Sequence, residues 1–340
     1  MWAPDFTPST DLIENTNQDG YYGIPLLKKP KWKWEIAVYF LLEGISAGCS
    51  LLASMARLFG GKRHRDLARA AHYTAFVTLL PCPPLLIADL GKPSRFHHMM
   101  RVFKPSSPMN LGAWTLLAYS IPVTLLAARD LLTDGSEDGT VAALVPEKML
   151  SLAGIPLALI MTSYPGVLLS TTSTPVWSRS RFLGALIACS SINTAVAACS
   201  LHLEVHEGSA ESKGLLKRLE TVTSICEAGM LATYVATAKE AARPLTKGRY
   251  RWHFWLGAVA AGVIAPLVLR SDKKAVRTTR SVLSLLGGLA LKWSITHAGR
   301  DSSVDIQATH KATAPTTRNP GWTKLSDGRN NLEQSGYIEV

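Results

Sequence analysis

Glu43, Glu227 and Lys292 are ionisable side chains set deep inside long apolar runs, where a charge is expensive and is expected either to pair or to work. Glu43 stands about two and a half helical turns inside the run that opens at Trp34. A carboxylate at that depth suits proton handling. Tyr39, one turn before it, and Tyr164 in Ser163-Tyr-Pro-Gly166 add two phenolic hydroxyls. Such a donor can hold a carbonyl, that of a quinone for example, and a buried tyrosine with no such task finds a structural hydrogen-bond partner instead. Asp89 closes the second apolar run and opens Asp89-Leu-Gly-Lys-Pro-Ser-Arg-Phe-His-His98. Its spacing to Lys92 and Arg95 predicts a charge cluster that orders this connection, with His98 as a further proton-exchanging group; snorkelling Lys and Arg in an interfacial loop is the plainer reading.

Metal and haem chemistry have little to stand on. Cys49, Cys82, Cys189, Cys199 and Cys226 all fall inside apolar runs and none belongs to a CxxC pair, whereas zinc and iron–sulfur sites need converging thiolates at short spacing. Haem needs facing axial ligands, and His72, His202 and His297 form no convincing pair along the sequence.

These residues must be positioned by eight apolar stretches at about 34–59, 67–90, 111–132, 149–172, 182–203, 220–241, 252–270 and 278–298. A hydrocarbon core about 30 Å thick takes roughly 20 residues of helix per crossing. Continuous apolar runs of this length imply helices and not barrel strands, which would alternate. The predicted fold class is therefore an all-α integral membrane protein with eight transmembrane helices. The mean hydropathy of only +0.13 over 340 residues reflects two polar tails that dilute an apolar middle. Residues 1–33 form a polar N-terminal extramembrane segment without the apolar core of a cleaved secretory signal. Residues 299–340 form a polar tail whose composition cannot bury a core of its own.

Within the first run, Gly44 and Gly48 share a face with Ser46, Ala47 and Ser50, a pattern that lets two helices approach closely. Pro81-Cys-Pro-Pro84 removes backbone donors and predicts a kink or break in the second helix. The net charge of +11 lies mostly in connections on both predicted faces, so the positive-inside rule does not orient the chain, and only the acidic 130–147 connection marks one face as external. An even number of crossings places both termini on the same side.

Several motifs in order resemble the NrfD family of polysulfide-reductase-type membrane subunits: Tyr39-Phe-Leu-Leu-Glu-Gly-Ile-Ser-Ala-Gly48, Asp89 to Met99, Phe103-Lys-Pro-Ser-Ser-Pro-Met109 with Gly112-Ala-Trp114, and Ser163-Tyr-Pro-Gly-Val-Leu-Leu-Ser170 followed by Pro175-Val-Trp177. The resemblance covers helices one to four in detail and the remainder in number and character. It implies two four-helix bundles, 34–172 carrying a quinone site and 173–298 forming the second. It also implies a subunit that exchanges electrons and protons between membrane quinone or quinol, menaquinone or ubiquinone, and a docked ferredoxin-like iron–sulfur subunit, with no metal or haem in this chain. That partner would lie on the face bearing both termini, with a catalytic subunit beyond it and the prokaryotic cytoplasmic membrane as the setting. Tyr164 matches the quinone-side tyrosine of the Ser-Tyr-Pro-Gly motif. Tyr39 stands where the polysulfide-reductase member has a histidine, Ile36 where it has an asparagine, and Lys292 where the family often carries arginine. The implied site set is Tyr39, Tyr164, Asp89 and His98 for quinone, Lys92 and Arg95 for the loop, and Glu43, Glu227 and Lys292 for the proton path. The competing expectation is an ion-translocating or transporter-type module, favoured by the Pro-broken helices and the interior charges.

Overall fold

A computed structural model describes residues 27–304 apart from 91, 93, 95, 134–145, 270 and 272, and without the side chains of Lys62 and Met99. Every secondary-structure element among the described residues is a helix, with no strand among them. The long elements are α1 Trp34–Phe59, α2 Arg65–Leu79, α3 Cys82–Asp89, α4 Pro108–Leu132, α5 Glu147–Ser170, α6 Leu183–Val205, α7 Ala210–Ala238, α8 His253–Val268 and α9 Lys274–Ser302. Five spans are long and apolar enough to cross a membrane: α1, the α2–α3 pair, α4, α5 and α6. The other three depart from that standard in different ways. α8 is apolar but short, while α7 and α9 are long and carry polar residues along their lengths. Both tails lie largely outside the described residues.

The outside of the bundle is apolar, the reverse of a water-soluble helical protein. Val77, Ile121, Leu125, Leu131, Met149, Leu152, Leu159, Ile225, Leu256 and Val268 are all exposed large hydrophobics on successive helices. A continuous belt of that kind belongs in lipid. The chain is a multi-pass membrane protein.

α1 and α6 form the centre. α1 packs against α2, α5, α6 and α9, and α6 packs against α1, α5, α7 and α9. The glycine face read in α1 makes this contact: a Cβ at Gly48 would stand 2.9 Å from the Ser191 carbonyl oxygen and 2.5 Å from the Ala195 Cβ. Cys49 and Cys199 meet across the same seam at 3.5 Å between sulfurs. Small residues here allow helix backbones to approach and gain dispersion along their length.

Pro81 and its neighbours break the second span as the sequence predicts, into α2 and α3. In α8 the segment His253–Ile264 is wound as a π-helix, which hydropathy does not signal. Its register places Gly262 directly on Gly287 of α9, with a Cβ at Gly262 only 3.0 Å from the Gly287 Cα. One more residue per turn lets small side chains converge on that crossing.

The segment leading into α1 is fastened to the end of α9 at one face, the face on which the described chain begins and ends. Arg300 Nη1 donates to the Trp32 carbonyl at 3.1 Å, Lys29 pairs with Asp301 at 3.3 Å, and the Trp32 ring lies 5.3 Å from Trp177. Trp177 Nε1 in turn donates to the Ile295 carbonyl at 2.8 Å. Tyr250 donates to Asp301 Oδ2 at 2.8 Å; burial and that carboxylate push its phenol up to about 12.

Candidate functional site

Three elements carry ionisable groups to the middle of the bundle: Glu43 on α1, Glu227 on α7 and Lys292 on α9, each at most 3% exposed. Lys292 is the cation whose charge reaches both carboxylates. Its Nζ donates to Ser190 Oγ at 3.1 Å. Asn193 Nδ2 donates to Glu227 Oε2 at 2.7 Å, while Asn193 Oδ1 accepts from Thr223 at 2.8 Å and from Ser224 at 3.3 Å. Glu227 is thus fully embedded in a polar network. Glu43 is not: neither of its oxygens has a hydrogen-bond partner among the described residues. Buried polar groups are nearly always satisfied, so an open carboxylate in the core marks a place where water or a ligand belongs.

Tyr39 and Tyr164 share the surroundings of Glu43, together with Cys82. The Tyr164 ring lies over Gly112 of α4, where any larger residue would collide with it, and its hydroxyl donates to the Pro108 carbonyl at 3.0 Å. That bond fixes the ring and leaves the phenolic oxygen free to accept. Asp89 ends α3 beside the N-terminus of α1, facing the Lys33 backbone N–H and Glu35. It therefore lies toward the termini face, about one turn of α1 from Tyr39.

The remaining expected residues lie elsewhere. His98 is exposed on the short helix His97–Arg101, its ring 4.3 Å from His97. Asn110 holds the following chain outward by donating to the Val102 carbonyl at 3.0 Å and accepting from the Lys104 N–H at 2.6 Å. Lys92 is also exposed, and Arg95 lies outside the described residues. Of the expected set, the structure gathers Tyr39, Tyr164, Glu43, Glu227 and Lys292.

Two polar files run from this centre toward the face opposite the chain ends. On α1, Ser46, Ser50, Ser54 and Arg57 follow Glu43 along one side of the helix and are all buried or nearly so. Ser46 donates to the Ala75 carbonyl at 2.8 Å and shares a hydrogen bond of 2.9 Å with Tyr119, which also meets Ser50. The file ends in a buried ion cluster. Arg57 bonds Asp130 at 2.9 Å and Glu147 at 2.5 Å, His72 Nδ1 meets Asp130 at 2.7 Å, and Arg129 meets Glu147 at 2.8 Å. The second file runs along α7 and α9 from Glu227 to Glu220, which pairs with Arg280 and accepts from Ser281 at 3.2 Å, and ends at Glu204 of α6 with Arg277 at 2.7 and 2.9 Å.

Asp130 and Glu147, which bound the acidic connection read as marking one face external, are ion-pair partners of arginines inside the bundle, and residues 134–145 between them lie outside the described residues. Residues missed by the sequence reading include Ser190 and Asn193, whose signal was a polar Ser190-Ser-Ile-Asn-Thr194 run in an apolar helix. An apolar cavity of about 360 Å³ opens between α1, α6 and α7, lined among others by Gly48, Met55, Ile192 and Leu219 and touching Thr223 at its polar edge. Among the described residues no cluster of His, Cys, Asp and Glu has the makings of a metal site.

The family model described as "Polysulphide reductase, NrfD" matches residues 27–301, nearly the whole described body. The chain belongs to the NrfD family. It is 27% identical over 299 residues to the C chain of polysulfide reductase from Wolinella succinogenes, an alignment spanning 79% of this protein and 94% of the relative. NrfD of Escherichia coli is 26% identical over 301 residues, covering 79% and 95% of the two proteins. The C subunit of selenate reductase from Mesobacillus selenatarsenatis is 25% identical over 311 residues, covering 77% and 72%. Membership of the NrfD family accords with the ordered motifs around Glu43, Asp89 and Tyr164 and with the lipid-facing belt.

Proposed function

We propose that this chain is the membrane subunit of a respiratory oxidoreductase and exchanges electrons and protons between menaquinone or ubiquinone and an iron–sulfur subunit docked on the face of the chain ends. Family membership supports the class, since two of the similar proteins are by name components of reductases. In this reading all eight long helical units cross the prokaryotic cytoplasmic membrane, as two four-helix bundles, 34–172 and 173–298, that meet along α1 and α6. α7 and α9 tolerate their polar residues because those side chains face the bundle interior, where they pair with each other. The ferredoxin-like partner passes electrons to or from a catalytic subunit.

The observation that carries the proposal is Glu43, buried, without a hydrogen-bond partner among the described residues, and bracketed by two tyrosines and a lysine. Oxidation of a quinol releases two electrons and two protons, so its site needs an acceptor for protons beside the hydroxyls. In our reading the Tyr164 oxygen accepts a quinol O–H while its own hydrogen stays on the Pro108 carbonyl, and Tyr39 orients the ring. Glu43 takes up the two protons one after the other, handing the first to the neighbouring Glu227–Lys292 pair before the second is released. The electrons leave through the termini face, toward which Asp89 lies. In this reading the chain carries no haem or metal of its own.

The test is quinol-dependent turnover of the assembled complex. Glu43→Gln keeps the shape and removes the proton acceptor, with an expected drop of about 100-fold, the lower end of general acid–base contributions. Tyr164→Phe should lower turnover about 10-fold while leaving the ring packed on Gly112. Wild-type turnover in both variants, with the complex intact, would overturn the assignment. So would a purified complex that contains no iron–sulfur subunit.

A further inference from the structure

On the face opposite the chain ends, α6 terminates at Val205, α7 begins at Ala210 and α9 begins at Lys274. These three ends enclose an open cavity of about 320 Å³ lined by Lys213, Lys217 and Arg277 with Gly208, Ala210 and Gly214. Glu204 is the carboxylate tied to this group: it accepts both Arg277 bonds and lies within the field of Lys213 and Lys274 as well. Arg277, Lys213 and Lys274 therefore converge on one carboxylate, and Lys217 lines the cavity beside them. Gly208 and Gly214 contribute no side chain, and nothing lies within 4 Å of where a Gly214 Cβ would be, so the space between the cations stays open.

The position decides what such a pocket takes. It lies where membrane helices end, at the depth of lipid headgroups. Farther into the membrane the outer flanks of the same two helices carry Val222 and Ile225 on α7 and Val282 and Leu286 on α9, exposed large hydrophobics one to three turns from the cations. A soluble anion would make no use of those flanks. Basic pockets between membrane helices with hydrocarbon beneath them fit an anionic headgroup with its acyl chains attached.

We propose that this cavity binds the phosphate of an anionic phospholipid, with Lys213, Lys217 and Arg277 around the phosphate and the acyl chains along α7 and α9. Glu204 holds the Arg277 guanidinium in place where it lines the cavity. The site is independent of the quinone reading and needs only a bilayer.

Native mass spectrometry of the full-length protein in detergent, titrated with phosphatidylglycerol, phosphatidylcholine or inorganic phosphate, tests it. Phosphatidylglycerol should bind and phosphatidylcholine should not. The Lys213→Gln, Lys217→Gln double variant should lose roughly 30-fold in apparent affinity, about 5-fold for each basic residue at a charged membrane surface. Lys213→Arg should retain binding, and Lys247→Gln on the opposite face should change nothing. Both lysines are partly exposed, and a thermal melt of each variant without lipid separates loss of binding from loss of fold. Equal binding of the two lipids, wild-type affinity in the double variant, or occupancy by inorganic phosphate that the lipid cannot displace would each overturn the proposal.

Discussion

Two kinds of buried charge occupy this bundle, and they differ in how completely they are answered. Asp130 receives Arg57 and His72 directly, and Glu147 receives Arg57 and Arg129. Glu43 receives no hydrogen bond from any described residue. The first arrangement holds the structure together, because removing one partner of a buried pair strands the other in a medium that cannot solvate it. Asp130→Ala should therefore lower stability by about 3–5 kcal/mol, read as a fall in the thermal unfolding midpoint in detergent. Glu43→Gln should leave that midpoint near wild type and act on turnover alone. The same contrast explains what could be read beforehand. Glu43, Glu227 and Lys292 announce themselves as charges in apolar runs, whereas the bond between His72 and Asp130 joins residues 58 positions apart with no local sign of it. His72 looked like an isolated imidazole for that reason.

The elements were legible where hydropathy and secondary structure coincide. The first apolar run, 34–59, is α1 residue for residue, and Pro81-Cys-Pro-Pro84 breaks the second span as proline chemistry requires. α7 begins at Ala210, about ten residues before its apolar part, because Ser209 caps the helix by accepting from the Ser212 N–H at 3.2 Å and the first turns are polar but helical. An apolarity reading cannot see those turns. The π-winding of α8, which accompanies the seat of Gly262 on Gly287, was equally invisible, since hydropathy carries no signal of helix pitch. Gly287→Leu should push α8 from α9 and cost about 1–3 kcal/mol by overpacking. Cysteines placed singly along α8 would report it: their accessibility to a lipid-soluble thiol reagent should rise in this variant and stay at the wild-type level if the crossing can absorb the side chain.

At the scale of the whole molecule, α1 and α6 form a shared spine, so the halves on either side of residue 173 are not independent modules. Coexpressed fragments 1–172 and 173–340 should associate, and each alone should be degraded, since α1 would lose α6 and α9 and α6 would lose α1. Separate accumulation of either fragment at wild-type level would contradict a common core. The eight crossings proposed above further predict that reporter fusions at residues 1 and 340 give the same topology signal, and opposite signals would overturn that count. Finally, Lys29 and Trp32, just before the first helix, find Asp301 and Arg300 only after the last helix exists. The entrance to α1 thus stays unlatched throughout synthesis and closes on completion, so a prematurely terminated product presents a loose end to membrane proteases that the finished protein conceals.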